Sequence, residues 1–523
     1  MLRISDNHLA RFLLICALLG LSACTTLGPD SREPEVAWLS NWQSDLYTQV
    51  GGSQQRSGFD TRFWWRLFDD TVLNDLIDTL KRENPSLRIA GLRILESRAV
   101  LGIAGSNLYP QVQQLDGAIS YVNTRQHGGV ASSNNQSLTS YQAGLGLGWE
   151  LDFWGRFRRG IEAADAAFFA SITNQQDVQV LLSAQVADLY YAYRTTELRV
   201  NIARENATIQ KRSFNITEQI YNSGQGSELD LQQAKTQYLA TLSTIPDLQI
   251  TLTKTRNALC ALLGRAPGNL PELAVPLDKL PDMKPQLIKD IPARQLLRRP
   301  DVRTAAWQVA AQSAQIGIAE ADYYPAISLL GSIGWSGNSV DATPNTTALS
   351  IGPSFSWKFL DYGRISNNVR VQDARLQQSI ENFQNRVLQA AQEIDDAAIS
   401  VVKTAEQQRL LSDALHAAER SLELANKRYQ EGYADFQRVL DAQRSLFSQA
   451  ERELVNQGKH ISAVISLYRA IGGGWLNTPV EQLIPEDMRK TMQDRSDWGD
   501  LLSAPLPDSP ANPPTVLETS QHE

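Results

Sequence analysis

The sequence predicts a mostly helical chain that carries transmembrane β-strands and is built twice from one plan. Three observations carry that prediction. The stretch from Ile365 to Ile471 contains no proline, and within it Leu411, Leu415, Ala418, Leu422, Ala425 and Tyr429 step by four, three, four, three and four, the seam spacing of a coiled coil. The same seam recurs upstream through Leu182, Val186, Leu189, Tyr193, Thr196, Val200, Ala203, Ala207, Gln210, Phe214, Thr217 and Tyr221, and Gly432 falls 208 positions after Gly224, which marks an internal duplication. Ahead of each long helical stretch the hydrophobic period changes to two, as in β-strands.

Residues 1–23 read as a signal peptide, because Arg3 and Arg11 precede the apolar run Phe12 to Leu21, which is too short to span a bilayer as a helix. Leu21-Ser22-Ala23-Cys24 resembles a bacterial lipobox, which implies cleavage before Cys24, lipid attachment to that cysteine and, with Thr25 next, sorting to the outer membrane. Residues 24–60 are polar and broken by proline and glycine, as expected of an extended, lipid-anchored arm. Without Cys16, removed with the signal, and Cys24, the remaining thiol is Cys260; it lies in the apolar run Ala258 to Leu263 and reads as a packed core residue.

The first repeat occupies residues 61–264 and the second 300–471. Trp64 and Trp65 lead into an amphipathic helix through Leu73, Leu76, Ile77 and Leu80. Asn84-Pro85 and, 215 positions later, Arg299-Pro300 each open a shorter helix that ends at Tyr109-Pro110 or Tyr324-Pro325. Strands are expected at about 111–124 and 138–151, then at about 326–337 and 348–360. Tyr141, Ala143, Leu145, Leu147, Trp149 and Leu151 alternate with Gln142, Gly144, Gly146, Gly148 and Glu150, and Leu349, Ile351, Pro353, Phe355, Trp357 and Phe359 alternate with Ser350, Gly352, Ser354, Ser356 and Lys358. That length and dyad pattern suit a transmembrane β-strand, with Trp149, Trp154, Trp335 and Trp357 at strand ends as interfacial anchors.

Four strands cannot close a barrel, and an open edge in hydrocarbon would leave backbone groups without partners, so the chain must oligomerise. Two copies would give eight strands and a filled interior, three copies twelve and a lumen; the small residues on the polar face favour twelve.

Each long helix, Arg156 to Tyr221 and Arg364 to Tyr429, should turn back at a tip glycine, Gly224 or Gly432, into a returning helix capped by Ser227 or Asp435. Pro246 lies inside one returning helix and should kink it. Residues 265–299, with six prolines, link the repeats, 472–495 follow the second repeat, and 496–523 read as a disordered tail.

Nothing points to an enzyme, a cofactor or a metal. His8, His127, His416, His460 and His522 lie far apart, and Gly144, Gly146 and Gly148 sit within a strand instead of opening a helix as a phosphate loop does. With a net charge of −8 the chain presents no basic field for nucleic acid.

The lipobox, the strand-to-helix junctions Leu151-Asp152-Phe153-Trp154-Gly155-Arg156 and Leu360-Asp361-Tyr362-Gly363-Arg364, and the tip motif Arg428-Tyr429-Gln430-Glu431-Gly432 with Val439-Leu440-Asp441-Ala442-Gln443-Arg444 together resemble the TolC-like outer-membrane factors, in their OprM/NodT-type lipoprotein branch. That resemblance spans Trp64 to about Trp475. It implies a homotrimer with a twelve-stranded β-barrel in the outer membrane, a twelve-helix α-barrel through the periplasm and an equatorial collar to which 265–299 and 472–495 contribute. It also implies the role of passive exit duct for small molecules in a tripartite, RND-type efflux system, docked on a periplasmic adaptor protein and driven by an inner-membrane transporter.

The family closes its periplasmic tip with a ring of aspartates, whose position Asp441 matches, while Tyr429 and Asp230 match residues that lock neighbouring hairpins. Here Gln437, Arg438 and Ala434 depart from the family pattern, so the resemblance implies a single acidic constriction at Asp441 with Arg438 bridging to a carboxylate. The alternative is a structural lipoprotein whose coiled-coil hairpins tether envelope layers and enclose no channel.

Overall fold

In the computed structural model, residues 26–50, 60–124, 136–283, 292–338 and 346–507 are described. The signal peptide, Cys24 and residues 508–523 lie outside them. The chain runs through helices α1 (Asp45–Val50), α2 (Thr71–Glu83) and α3 (Pro85–Ser106), strands β1 (Val112–Thr124) and β2 (Gln136–Leu151), and the hairpin of α4 (Arg156–Asn222) and α5 (Glu228–Leu262). The second half repeats this with α6 (Pro292–Arg298), α7 (Pro300–Ala321), β3 (Ala326–Gly337), β4 (Thr346–Ser356), α8 (Arg364–Gln430) and α9 (Phe436–Ala470), followed by α10 (Val480–Leu483) and α11 (Glu486–Arg495).

At 67 residues each, α4 and α8 are about 100 Å long at a rise of about 1.5 Å per residue. The predicted seam is the packed face: Val186, Tyr193, Val200, Ala203 and Ala207 of α4 are buried, as are Leu411 and Ala418 of α8. Helix α9 packs on both long helices. Helix α5 runs continuously through Pro246, so the proline removes one backbone donor without ending the helix. Among the described residues no helix is long and apolar enough to cross a membrane.

The strands form one antiparallel sheet in the order β1-β2-β3-β4, with β1 and β4 at its edges. Register puts most of the large apolar positions on one face: Ile119 pairs with Tyr141, Leu115 with Leu145, Leu145 with Ile333, and Ile333 with Leu349, while Val112, Val122, Leu138 and Leu330 fall on the other. This face has no cover. Leu115 is 81% exposed, Ile351 74% and Phe355 76%, far beyond what a water-soluble sheet leaves bare in so compact a patch. The opposite face carries Gly144, Gly146, Ser332, Ser350 and Ser354, small residues with little to bury.

Where the sheet ends the helical packing begins. One core gathers Trp64, Leu73, Leu76, Ile77 and Leu80 against Tyr190, Tyr191, Phe383 and Tyr468, with Leu270, Leu273 and Leu280 of the inter-repeat segment and Cys260 joining it. A second gathers Ile94, Phe168, Phe169 and Trp307 against Val480, Leu483 and Met492.

Two expectations change here. The arm is not simply extended: α1 packs on α8, Tyr47 is buried, and the Ser44 hydroxyl bonds to Asp395. The disordered tail does not begin at 496, because Leu502 is buried and Trp498 and Leu506 pack on the second core, while Arg98 donates to the carbonyl of Ala504 at 2.7 Å. Burial of these apolar residues offsets the chain entropy that the polar, proline-rich composition led one to expect would prevail.

Each returning helix abuts the N-terminus of a shorter one. In the first repeat the Asn84 side chain caps α3 by accepting from Leu87 and donates to the Leu262 carbonyl at 2.7 Å. In the second, Arg299 donates to the Ala470 carbonyl at 2.8 Å, to Asp301 at 2.9 Å and to Glu393 at 2.8 Å. Gly264 and Gly472 close the preceding helices with φ of 70° and 78°; a side chain on Gly264 would collide with the Glu83 carbonyl, and one on Gly472 would crowd Arg299. Beside Arg299, Asp177 lines a cavity of about 170 Å³ with Asp301, Arg386 and Glu393. Burial, and secondarily the charge of Asp301, push its carboxyl up to about 6.

Candidate functional site

Two regions concentrate the predicted functional residues: the strand-to-helix junctions and the distal tips of the hairpins. At the junctions Gly155 and Gly363 sit at the N-terminal boundary of α4 and α8 with φ of 74° and 84°, a left-handed conformation that turns the strand into the helix. An aspartate then caps each helix. Asp152 accepts from the amides of Phe157 and Arg158, both at 3.0 Å, and Asp361 from those of Gly363 and Ile365. The amide bonds hold the Asp361 carboxyl below the usual carboxylate range. Arg156 reaches Asp322 at 3.4 Å, whereas Arg364 is exposed, its amide donating to the Asp361 carbonyl.

The first junction also receives the N-terminal arm. Thr26 lies against Gly155, where a side chain would come within 2.8 Å of it, and Gly28 lies against Gly317. Arg159, almost wholly buried, donates to the carbonyls of Leu27 at 2.8 Å and Gly28 at 3.0 Å and pairs with Asp30 and Glu162. Burial acts against the Arg159 charge, but the two carboxylates outweigh it and raise its pKa. No sequence signal announced this latch, since its partners are separated by more than a hundred positions and share no motif.

At the tips both repeats build the same turn. Gly224 and Gly432 have φ of 75° and 77°, and the amides that follow reach back to Ile220 and Arg428 at 3.1 and 2.8 Å, the paired bonds of a Schellman motif. Ser227 caps α5 by accepting from Leu229. Asp435 makes no side-chain cap bond to α9, where the predicted cap is absent. Tyr429 is half-buried against Phe436, ring centroids 5.4 Å apart, in a small cluster with Val439 and Leu440.

Asp441 is exposed on α9, accepts from Gln437 at 3.1 Å and pairs with Arg444 at 3.4 Å. Arg444 also donates to Gln237 of the first repeat at 3.0 Å, which ties the two hairpins together. Among the described residues Arg438 forms no ion pair, so the cation at Asp441 is Arg444, one helical turn on. The i,i+3 spacing of Asp441 and Arg444 was the available sequence signal. Asp230 is half-buried on α5 and makes no hydrogen bond to Tyr429 within the chain.

This combination of an apolar sheet face with two open edges and two 67-residue helices has counterparts in known proteins. Residues 76–265 and 291–473 match the family described as outer membrane efflux protein. The chain belongs to the outer membrane efflux protein family. Such a protein is an outer-membrane efflux channel, and the relatives agree along nearly its whole length. The cation efflux system protein CusC of Escherichia coli O6:H1 is 29% identical over 469 residues, covering 89% of this chain and 99% of the relative. The probable outer membrane lipoprotein SilC of Salmonella typhimurium is 28% identical over 474 residues, covering 89% and 99%. Among solved structures, the outer-membrane channel OprN superposes with a TM-score of 0.78 at 31% identity, covering 86% of this efflux protein and all of that chain.

Proposed function

We propose that three copies of this efflux protein close their sheets, β4 of one beside β1 of the next, into a twelve-stranded barrel in the outer membrane. Their hairpins then make a twelve-helix conduit through the periplasm. The single observation that carries this reading is the sheet: one bare apolar face for lipid, one face made mostly of small and polar residues for a lumen, and two edges whose backbone groups need partners in hydrocarbon.

Cys24 carries the lipid anchor, two residues before Thr26 docks at Gly155. The duct is passive. Small molecules enter it from a periplasmic adaptor seated on the tips and an inner-membrane, RND-type transporter that supplies the energy, in keeping with relatives named as parts of efflux systems. At the tip Asp441 forms the acidic constriction, with Gln437, Arg438 and Arg444 around it, and Tyr429 and Asp230 lock neighbouring hairpins. Three carboxylates within about 6 Å repel by roughly 1 to 3 kcal/mol per pair, so Arg444 beside each Asp441 lowers the cost of closing the ring. Purified protein in a planar bilayer should conduct; absence of conductance under every condition would leave the hairpins as tethers.

A further inference from the structure

The two repeats place opposite charges at one equivalent position. Glu150 follows Trp149, and 208 positions on Lys358 follows Trp357. The indole nitrogens of Trp149 and Trp357 donate to the carbonyls of Leu108 at 3.1 Å and Tyr323 at 2.9 Å, so the two strand ends are seated alike. Glu150 pairs across the sheet with Ser328, and Ser328 with Ser354, so these positions share the polar face. Lys358 comes two residues after Ser356, and it lines with Glu150, Ser328 and Ser356 one cavity of about 270 Å³ at the foot of the sheet. Neighbouring charges are already engaged, Asp152 in capping α4 and Arg156 with Asp322. Among the described residues neither Glu150 nor Lys358 forms an ion pair.

We propose that Glu150 and Lys358 alternate around the duct as a charged collar at the base of the β-barrel, which sets ion selectivity separately from Asp441 at the far tip. This rests on the trimeric barrel proposed above. In twelve strands Glu150 recurs on each β2 and Lys358 at the foot of each β4, two strands or about 9.5 Å apart. Tilt of barrel strands by about 35 to 45° shifts the register from strand to strand, which suits the four-residue offset between Ser354, level with Glu150, and Lys358. At that spacing the charges do not form contact pairs, and the ring as a whole is neutral. Deleting one sign uncovers the other. Three like charges on the order of 15 Å from the axis in water change the weight of a monovalent ion about fourfold, provided low salt keeps the screening length long.

The test is the K⁺/Cl⁻ permeability ratio of the full-length protein in planar bilayers at low ionic strength, for wild type, Glu150→Gln, Lys358→Gln and the double variant. Because the anion's weight moves fourfold the opposite way from the cation's, Lys358→Gln should raise the ratio roughly fifteenfold, Glu150→Gln should lower it about as much, and the double variant should return to the wild-type value. Conducting single variants that keep the wild-type ratio, or that shift it in the same direction, overturn the collar and leave the channel reading intact. A wild-type protein that does not conduct overturns the channel reading and the collar with it. The charge exchange Glu150→Lys with Lys358→Glu rebuilds an alternating ring and should conduct with the wild-type ratio; a changed ratio counts against alternation.

Discussion

The joint at Arg299 makes a quantitative test of the duplication, because the first repeat shows what an uncharged joint looks like. Asn84 occupies the position of Arg299, and Ser86 that of Asp301. Arg299→Ala removes the donor to the Ala470 carbonyl and leaves Asp301, whose side chain is 11% exposed, without its cation. Breaking a buried pair in this way costs about 3 to 5 kcal/mol. Glu393 is 41% exposed and can rehydrate, so its share is at most about 1 kcal/mol. Arg299→Asn keeps a donor for a helix carbonyl, as Asn84 does, and should cost about 2 to 3 kcal/mol through Asp301 alone. Arg299→Asn with Asp301→Ser copies the first joint and should lie within about 1 kcal/mol of wild type. Hydrogen exchange at the first turns of α7 reads the difference, because a loss of about 3 kcal/mol speeds local opening roughly a hundredfold. If the alanine variant exchanges like wild type, or the double variant like the alanine variant, the joint does not hold the stack as described.

Further outcomes follow from the tip, the buried carboxylate and the anchor. Asp441→Ser should weaken cation preference about threefold in conducting trimers, and unchanged selectivity would place the acidic ring elsewhere. Burial raises the Asp177 carboxyl to about 6, above the usual carboxylate range, so its ionisation costs stability as pH rises from about 4 to 6 and the cost is complete above that window. Asp177→Asn should therefore raise the melting temperature at pH 7.5, by relief of up to about 3 kcal/mol, and leave it nearly unchanged at pH 3.5; equal effects at both values would refute the assignment. Cys24→Ser should abolish lipid labelling while assembled protein stays in the membrane, and loss from the membrane would show that the barrel alone does not hold it.

The repeating parts of the fold were legible because they rest on periodic patterns. Seam spacing and tip glycines placed the C-terminal ends of α4 and α8 to within a residue, and period-two alternation separated Leu145 and Leu349 from their small and polar neighbours before register joined both to Ile333. What stayed hidden depends on single contacts between distant positions: Ser44 with Asp395, Arg98 with the carbonyl of Ala504, Arg159 with the arm. Such contacts leave no period, and polar composition alone argued for disorder where Leu502 is in fact buried. At the tip, the family resemblance singled out Asp441, but the bond from its partner Arg444 to Gln237 depends on the crossing of two hairpins, which no local pattern records. The lock proposed for Tyr429 and Asp230 would lie between neighbouring copies, and within one chain the two residues make no hydrogen bond to each other.

The central claim is that the open sheet closes through three copies, and the mass of the detergent-solubilised oligomer tests it most directly. The account predicts three protomers, each somewhat below 58.1 kDa once the signal peptide is removed. A stable monomer that retains its full β-sheet content would contradict it.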